Sequence, residues 1–309
     1  MSNYLAIPTH SAPLGRDIHL RDIVHVENGD VVLDIEEATI TPGVTAIVGP
    51  HHTHASALLR VLSTLEEPTM GTVTVGGVPF GGRSTATSHL TSGTPALGGA
   101  LTGGQTSSEP GGSAALARLR SRIGYVPTDV SIDHTTSIAS LVTNAAWLRG
   151  LNGHDAREAA RTTLDTMGLT SVHNKRVRSI ARIRKSRIRD NPARRHGANA
   201  DRRARTALAM ACVAQPAFVF LDQPTRWLLN PSEQDNYLQL IRHTGAGTVL
   251  ISTNNIHEAA QFADHIMVLN EGRILAHDTV QGFVDSAPVG YEEDTPLDAA
   301  YQAALASAY

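Results

Sequence analysis

Three short stretches constrain the fold more than anything else in the chain. Val44 to Val48 (VTAIV), Ala217 to Leu221 (AFVFL) and Thr248 to Ser252 (TVLIS) carry apolar or β-branched side chains at nearly every position. A strand with one face in water alternates apolar and polar residues, whereas a continuous apolar run belongs to a strand covered on both faces. Each run leads into a helical pattern: Ser56 to Leu65, with Leu58, Leu59, Val61 and Leu62 on one stripe, Ser232 to Thr244, and the segment from His257. Strands alternating with helices predict a mostly parallel sheet with helices on both faces.

Other elements gather around this core. Ile18 to Val26 and Val31 to Ile35 read as strands, as does Gly71 to Val78. Ile123 to Pro127 (IGYVP) is a strand ending at a turn, and Ser137 to Leu151 and His154 to Met167 are two helices. Ile266 to Leu269 and Arg273 to Ala276 form a hairpin through Asn270-Glu271-Gly272, and Thr295 to Tyr309 reads as helical. Two segments break the pattern. Gly81 to Ser113 is dominated by Gly, Ser, Thr and Pro and reads as a flexible insertion. Val177 to Arg205 is strongly basic, is interrupted by Asn191-Pro192 and Gly197, and precedes a helix over Thr206 to Ala214.

Composition limits the function classes. With 41% hydrophobic and 18% charged residues, 309 residues can bury a substantial core. The net charge of -3 gives no overall attraction to nucleic acid, and the basic stretch lacks the interleaved aromatics that stack bases. That stretch reads as a solvated face, with anionic lipid headgroups or another anionic partner as alternatives. A single cysteine, Cys212, excludes an internal disulfide and fits a reducing compartment. The first residues lack a basic region followed by an apolar block, and the most apolar run, Ala207 to Leu221, is broken by Gln215-Pro216. Any membrane association is therefore expected through a partner.

The order of these pieces resembles the nucleotide-binding subunits of ATP-binding-cassette (ABC) transporters, particularly exporter-like ones. The segments TAIVGP, LLRVLSTLEEPTMGTVTVGG, IGYVP, FVFLDQPT, TVLISTN and ADHIMVLNEGRIL occur in the family's order. The likeness runs from Ile18 to Gly272 and touches the tail at Pro296 to Tyr301. It implies an α/β fold: an ABC-type P-loop NTPase-like core with an N-terminal antiparallel β-subdomain and an inserted α-helical subdomain. The expected division is a nucleotide-binding-like domain over residues 1–285 and a C-terminal tail over 286–309. Within the domain, 81–116 is the insertion and 129–205 the helical subdomain with its basic segment.

Against the resemblance, the chemistry thins out. A phosphate loop needs glycines whose N–H groups curl round the phosphates, a lysine for the β- and γ-phosphates and a hydroxyl for Mg²⁺. Here Gly49 remains, His52 and His54 stand at the later glycine positions, Ala55 at the lysine and Ser56 at the hydroxyl. A charge-assisted phosphate contact contributes about 1.5–3 kcal/mol, so the missing lysine alone costs about tenfold or more in affinity. Close sequence spacing argues against a metal held by His51, His52 and His54. The resemblance further puts Asn28 at the adenine-stacking aromatic and Thr128 at the glutamine that touches Mg²⁺ and senses the permease. It matches Asp222 to the metal-orienting aspartate, Gln223 to the glutamate that activates water, and Asn254 to the switch histidine. A neutral amide cannot act as a general base. The signature loop has two candidate positions, Ile180 to Ile183 and Ala198 to Asp201, and neither has paired glycines or a serine.

These substitutions imply a pseudo-ATPase: no catalytic residue, no resident metal, and at most weak ATP and Mg²⁺ binding. Its expected partners are an ABC-type membrane permease or a catalytically competent ABC subunit, in a homo- or heterodimer, on the cytoplasmic side of the membrane. The alternatives are a working ATPase with divergent motifs and a soluble module that binds an anionic partner through the basic segment.

Overall fold

A computed structural model describes residues 15–50, 52–81, 110–130, 132, 135–176, 192–228, 230–290 and 295–307. The first described elements are a long hairpin, β1 (Ile18–Glu27) and β2 (Asp30–Ile40), then β3 (Gly43–Val48) and α1 (His52–Leu62), followed by β4 (Met70–Val75) and β5 (Val78–Phe80). After α2 (Pro110–Ser121) and β6 (Ile123–Val126) come three helices, α3 (Ile138–Leu148), α4 (Gly153–Thr166) and α5 (Pro192–Cys212). Strand and helix then alternate through β7 (Phe218–Asp222), α6 (Pro231–Arg242), β8 (Thr248–Thr253), α7 (Ile256–Phe262) and β9 (His265–Asn270). The last elements are β10 (Arg273–Thr279), α8 (Val280–Asp285) and α9 (Pro296–Ala306).

The strands form two sheets. One is antiparallel, in the order β2-β1-β4-β5; the other runs β10-β9-β3-β8-β7-β6 and is parallel except for the β9–β10 hairpin. The three apolar runs are neighbours at the centre of the second sheet, and both of their faces are buried as expected. Val44, Ala46 and Val48 of β3, Val219 and Leu221 of β7 and Val249 and Ile251 of β8 enter one core with α3 to α9. The alternate residues Ile47, Phe218, Phe220 and Leu250 enter a second core with α1 and the antiparallel sheet. The stripe on α1 belongs to the second core, where Leu58, Leu59, Val61 and Leu62 are fully buried.

Two expectations change. Gly197 does not interrupt structure: α5 starts at Pro192 and runs through Gly197 to Cys212, well before the expected start at Thr206. Proline suits a first helical turn because its missing N–H would have no intrahelical partner there. The insertion also ends sooner than its composition indicates, since α2 begins at Pro110. Fully buried Leu119, with Ala115 and Leu116 against the second core, supplies the anchor that holds this helix. Residues 82–109 lie outside the described part of the chain, as does most of the basic segment. Among the described residues, no helix is long and apolar enough to cross a membrane.

The tail beyond residue 286 packs onto the core. In α9, Thr295 caps the first turn by accepting from Asp298 N, and Leu297, Ala299 and Ala300 are buried. Asp298 also pairs with His257 of α7 at 3.0 Å. Replacing Leu297 with Ala should cost about 2–3 kcal/mol, the lower part of the range for a buried leucine, read as a reduced urea midpoint at unchanged m-value.

Candidate functional site

β3, β7 and β8 run parallel, so their C-terminal ends lie along one edge, where an open α/β sheet binds ligands. Residues singled out from the sequence follow each strand: Gly49 and α1 after β3, Asp222 and Gln223 at the end of β7, and Asn254 after β8.

At the β3–α1 turn, Gly49 has a packing reason of its own. A Cβ there would lie 2.0 Å from the Leu269 carbonyl oxygen of β9, so no larger residue fits without moving the strand. His52 and His54 lie within the first turn of α1, and His54 is half-buried. Ala55 and Ser56 are 5% and 8% exposed, and Ala55 packs into the second core. The position that the resemblance matches to a phosphate-binding lysine thus holds a buried methyl group. His51 and the side chain of His52 lie outside the described residues.

At the end of β7, Asp222 is buried and accepts a hydrogen bond from Ser252 Oγ at 2.8 Å. Ser252 Oγ in turn accepts from Gln223 N at 2.9 Å. One hydroxyl on β8 therefore fixes both the aspartate and the residue after it. Burial, with the Asp222 charge adding to it, pushes the nearby Tyr125 phenol up to about 12, so it stays neutral at physiological pH. Gln223 has a φ of +46°, a conformation uncommon for a residue with a Cβ. Its Oε1 lies 3.5 Å from Arg226 Nη1.

Gln223 and Asn254 line one polar cavity of about 390 Å³, together with Thr225, Gln234, Thr253 and Glu258. Its walls offer amides, hydroxyls, the Arg226 guanidinium and one carboxylate. The carboxylate is Glu258, one oxygen of which accepts from Thr253 Oγ1 at 2.5 Å, and the sequence reading did not identify it. Beside the cavity, Trp227 Nε1 donates to the Thr128 carbonyl at 3.1 Å, while the Arg226 guanidinium stacks 5.1 Å above the indole. This contact ties the loop after β6 to the loop after β7. Thr128 takes part through its backbone, which is why its side-chain identity gave no sign of it.

The remaining candidates do not line this cavity. Asn28 is an exposed hairpin-turn residue with φ of +53°, followed by Gly29 at +96°. Such an Asn-Gly pair is favoured where two residues must join twisted antiparallel strands. Of the two signature-loop positions, Ile180 to Ile183 lies outside the described residues and Ala198 to Asp201 is inside α5. There Asp201 accepts from Arg205 one turn on, at 2.7 Å.

The family model of the ABC transporter matches residues 33–226. The chain belongs to the ABC transporter family. It is 24% identical over 262 residues to the L-cystine transport system ATP-binding protein TcyN of Escherichia coli (strain K12), spanning 84% of this chain and 88% of that one. It is 26% identical over 267 residues to the daunorubicin/doxorubicin resistance ATP-binding protein DrrA of Streptomyces peucetius, spanning 85% of this chain and 66% of that protein. Among solved structures, an ATP-binding subunit of an ABC transporter aligns with a TM-score of 0.64 at 16% identity, over 93% of this chain and 99% of the other. A dimeric ATP-binding cassette in a post-hydrolysis state with ADP and Pi aligns with a TM-score of 0.60 at 17% identity, over 85% and 98%. The fold of this ABC family member is thus that of an ATP-binding subunit, built as the sequence pattern predicts.

The packing of Gly49 separates its structural from its ligand-binding role. Gly49→Ala should destabilise the ligand-free ABC subunit by about 3 kcal/mol, the upper end for overpacking, measured by chemical denaturation without nucleotide.

Proposed function

We propose that this ABC subunit is a pseudo-ATPase that serves as scaffold or regulator of a membrane transport complex. The observation that carries the proposal is the pair Ala55, in the first turn of α1 after β3, and Gln223, just after β7. Ala55 is buried where the resemblance requires a reaching cation, and Gln223 offers an amide where it requires a proton acceptor. Without the cation, charge building on a transferring phosphoryl group lacks a principal stabiliser. Without a carboxylate at position 223, the attacking water lacks the proton acceptor that the resemblance expects there. Asp222 keeps its place through Ser252, consistent with a strand-end carboxylate retained for architecture.

The division of the chain supports the same reading. One nucleotide-binding-like domain spans residues 1–285, interrupted by the 81–116 insertion and carrying a helical subdomain over 129–205, and 286–309 forms the tail. The subunit pairs with an ABC-type permease, with a catalytically competent ABC subunit, or with both, at the cytoplasmic face of the membrane. Exposed apolar side chains on the helical subdomain suit such a role: Trp147 and Leu148, at the end of α3, are 63% and 77% exposed.

Calorimetric titration with Mg·ATP, paired with a phosphate-release assay, tests the proposal. The native chain should show neither binding in the micromolar range nor turnover above that of its Gln223→Ala variant. The variant His52→Gly, His54→Gly, Ala55→Lys should gain heat of binding if it retains the native circular dichroism spectrum. Turnover by the native chain that disappears in Asp222→Ala would instead make it a working ATPase with divergent motifs.

A further inference from the structure

The antiparallel sheet meets α1 at a group of charged side chains with no role in the site above. His25 and Glu27 stand on β1, Arg60 on α1, and Glu66 in the connection between α1 and β4. His25 Nε2 lies 3.1 Å from Glu66 Oε2 and 3.6 Å from Glu27 Oε1. Arg60 Nε donates to Glu66 Oε1 at 2.8 Å, and Arg60 Nη2 pairs with Glu27 Oε1. The imidazole is 8% exposed, and Glu27 and Glu66 are 32% and 36% exposed.

We propose that His25, Glu27 and Glu66 form a binding site for a zinc ion that staples β1 to the α1–β4 connection. The first argument is distance. Zinc binds imidazole nitrogen and carboxylate oxygen at about 2.0–2.2 Å in a tetrahedral arrangement, which sets neighbouring ligand atoms about 3.3 Å apart. The two separations from His25 Nε2 bracket that spacing, and one atom from each of the three residues lies within 4.8 Å of the others. An ion can enter with small side-chain adjustments.

Charge is the second argument. With neutral imidazole, two carboxylates face a single guanidinium, so one negative charge stays uncompensated in a partly buried place. A divalent cation supplies the missing charge; Arg60 remains on Glu66 Oε1 and gives up or shares Glu27 Oε1, which it also holds. A partner in that outer position orients a carboxylate ligand and raises metal affinity. One nitrogen and two oxygens suit zinc, whereas magnesium and calcium take six or more oxygen ligands. Three protein ligands leave a fourth position for water.

The test uses the full chain, stripped with a chelator and titrated with zinc chloride alone, with bound metal measured after gel filtration. The chain has 15 histidines, so the decisive quantity is the difference between native protein and His25→Asn. The native chain should hold one zinc equivalent more than His25→Asn, and its thermal midpoint should rise by roughly 5 °C on loading. Glu66→Gln, nearly isosteric and partly exposed, should weaken that equivalent by about 10- to 100-fold while folding normally without metal. Equal zinc content and equal midpoint shift in native and His25→Asn protein would overturn the proposal, as would a native chain that retains no zinc. Because the readouts are metal content and unfolding temperature, they hold whether or not the subunit proves to bind ATP.

Discussion

Burial of the parallel strands on both faces is the constraint from which the rest of the molecule follows. Successive residues of a strand point to opposite sides, so a strand with water on neither side needs two separate covers. In β7, Phe218 and Phe220 reach into the core shared with α1 and the antiparallel sheet, while Val219 and Leu221 reach into the core shared with the helices. Losing either cover would expose half of every central strand. The antiparallel sheet, α1, the helical subdomain and the tail helix are therefore all held by the same few strands. Those strands end together, which gathers the residues after β3, β7 and β8 along one edge.

This arrangement separates the survival of the scaffold from the survival of its chemistry. Gly49 is required by the Leu269 carbonyl whether or not a phosphate is bound, and Asp222 and Ser252 satisfy one another inside the sheet. Residues with such packing or hydrogen-bonding duties are held in place by stability alone. Ala55 and Gln223 show the converse. Ala55 contributes a buried methyl and Gln223 a neutral amide, and neither is held by a contact that requires a lysine or a glutamate there. An ABC subunit can thus keep a regular core whatever side chains stand at these two positions.

Legibility in the sequence followed the range of the interactions involved. The central strands could be read because a continuous apolar run is a local signal of burial, and α1 because its stripe repeats within three turns. The start of α5 was misread because proline has two meanings: Pro192 breaks a helix if interior and opens one if first, and only the backbone distinguishes them. The start of α2 differs from the expectation because Pro110 to Ser113 has the composition of a linker, and the helix is anchored further on, where Ala115, Leu116 and Leu119 meet a distant core. Asn28, which the resemblance puts at a ligand position, sits in the β1–β2 turn, a placement its Asn-Gly pair already indicates.

By itself, the sequence determined the class of fold, the order of its elements and the residue types at the strand ends, because these depend on side-chain chemistry and periodicity along the chain. Tertiary structure alone decided which distant residues meet. Trp227 reaches the Thr128 carbonyl across 99 positions, Glu258 turns toward the cavity of Gln223 and Asn254, and His25 and Glu66, 41 positions apart, share a hydrogen bond. Such contacts leave no periodic trace in the chain, since each depends on how two sheets and a helix pack rather than on the residues beside it.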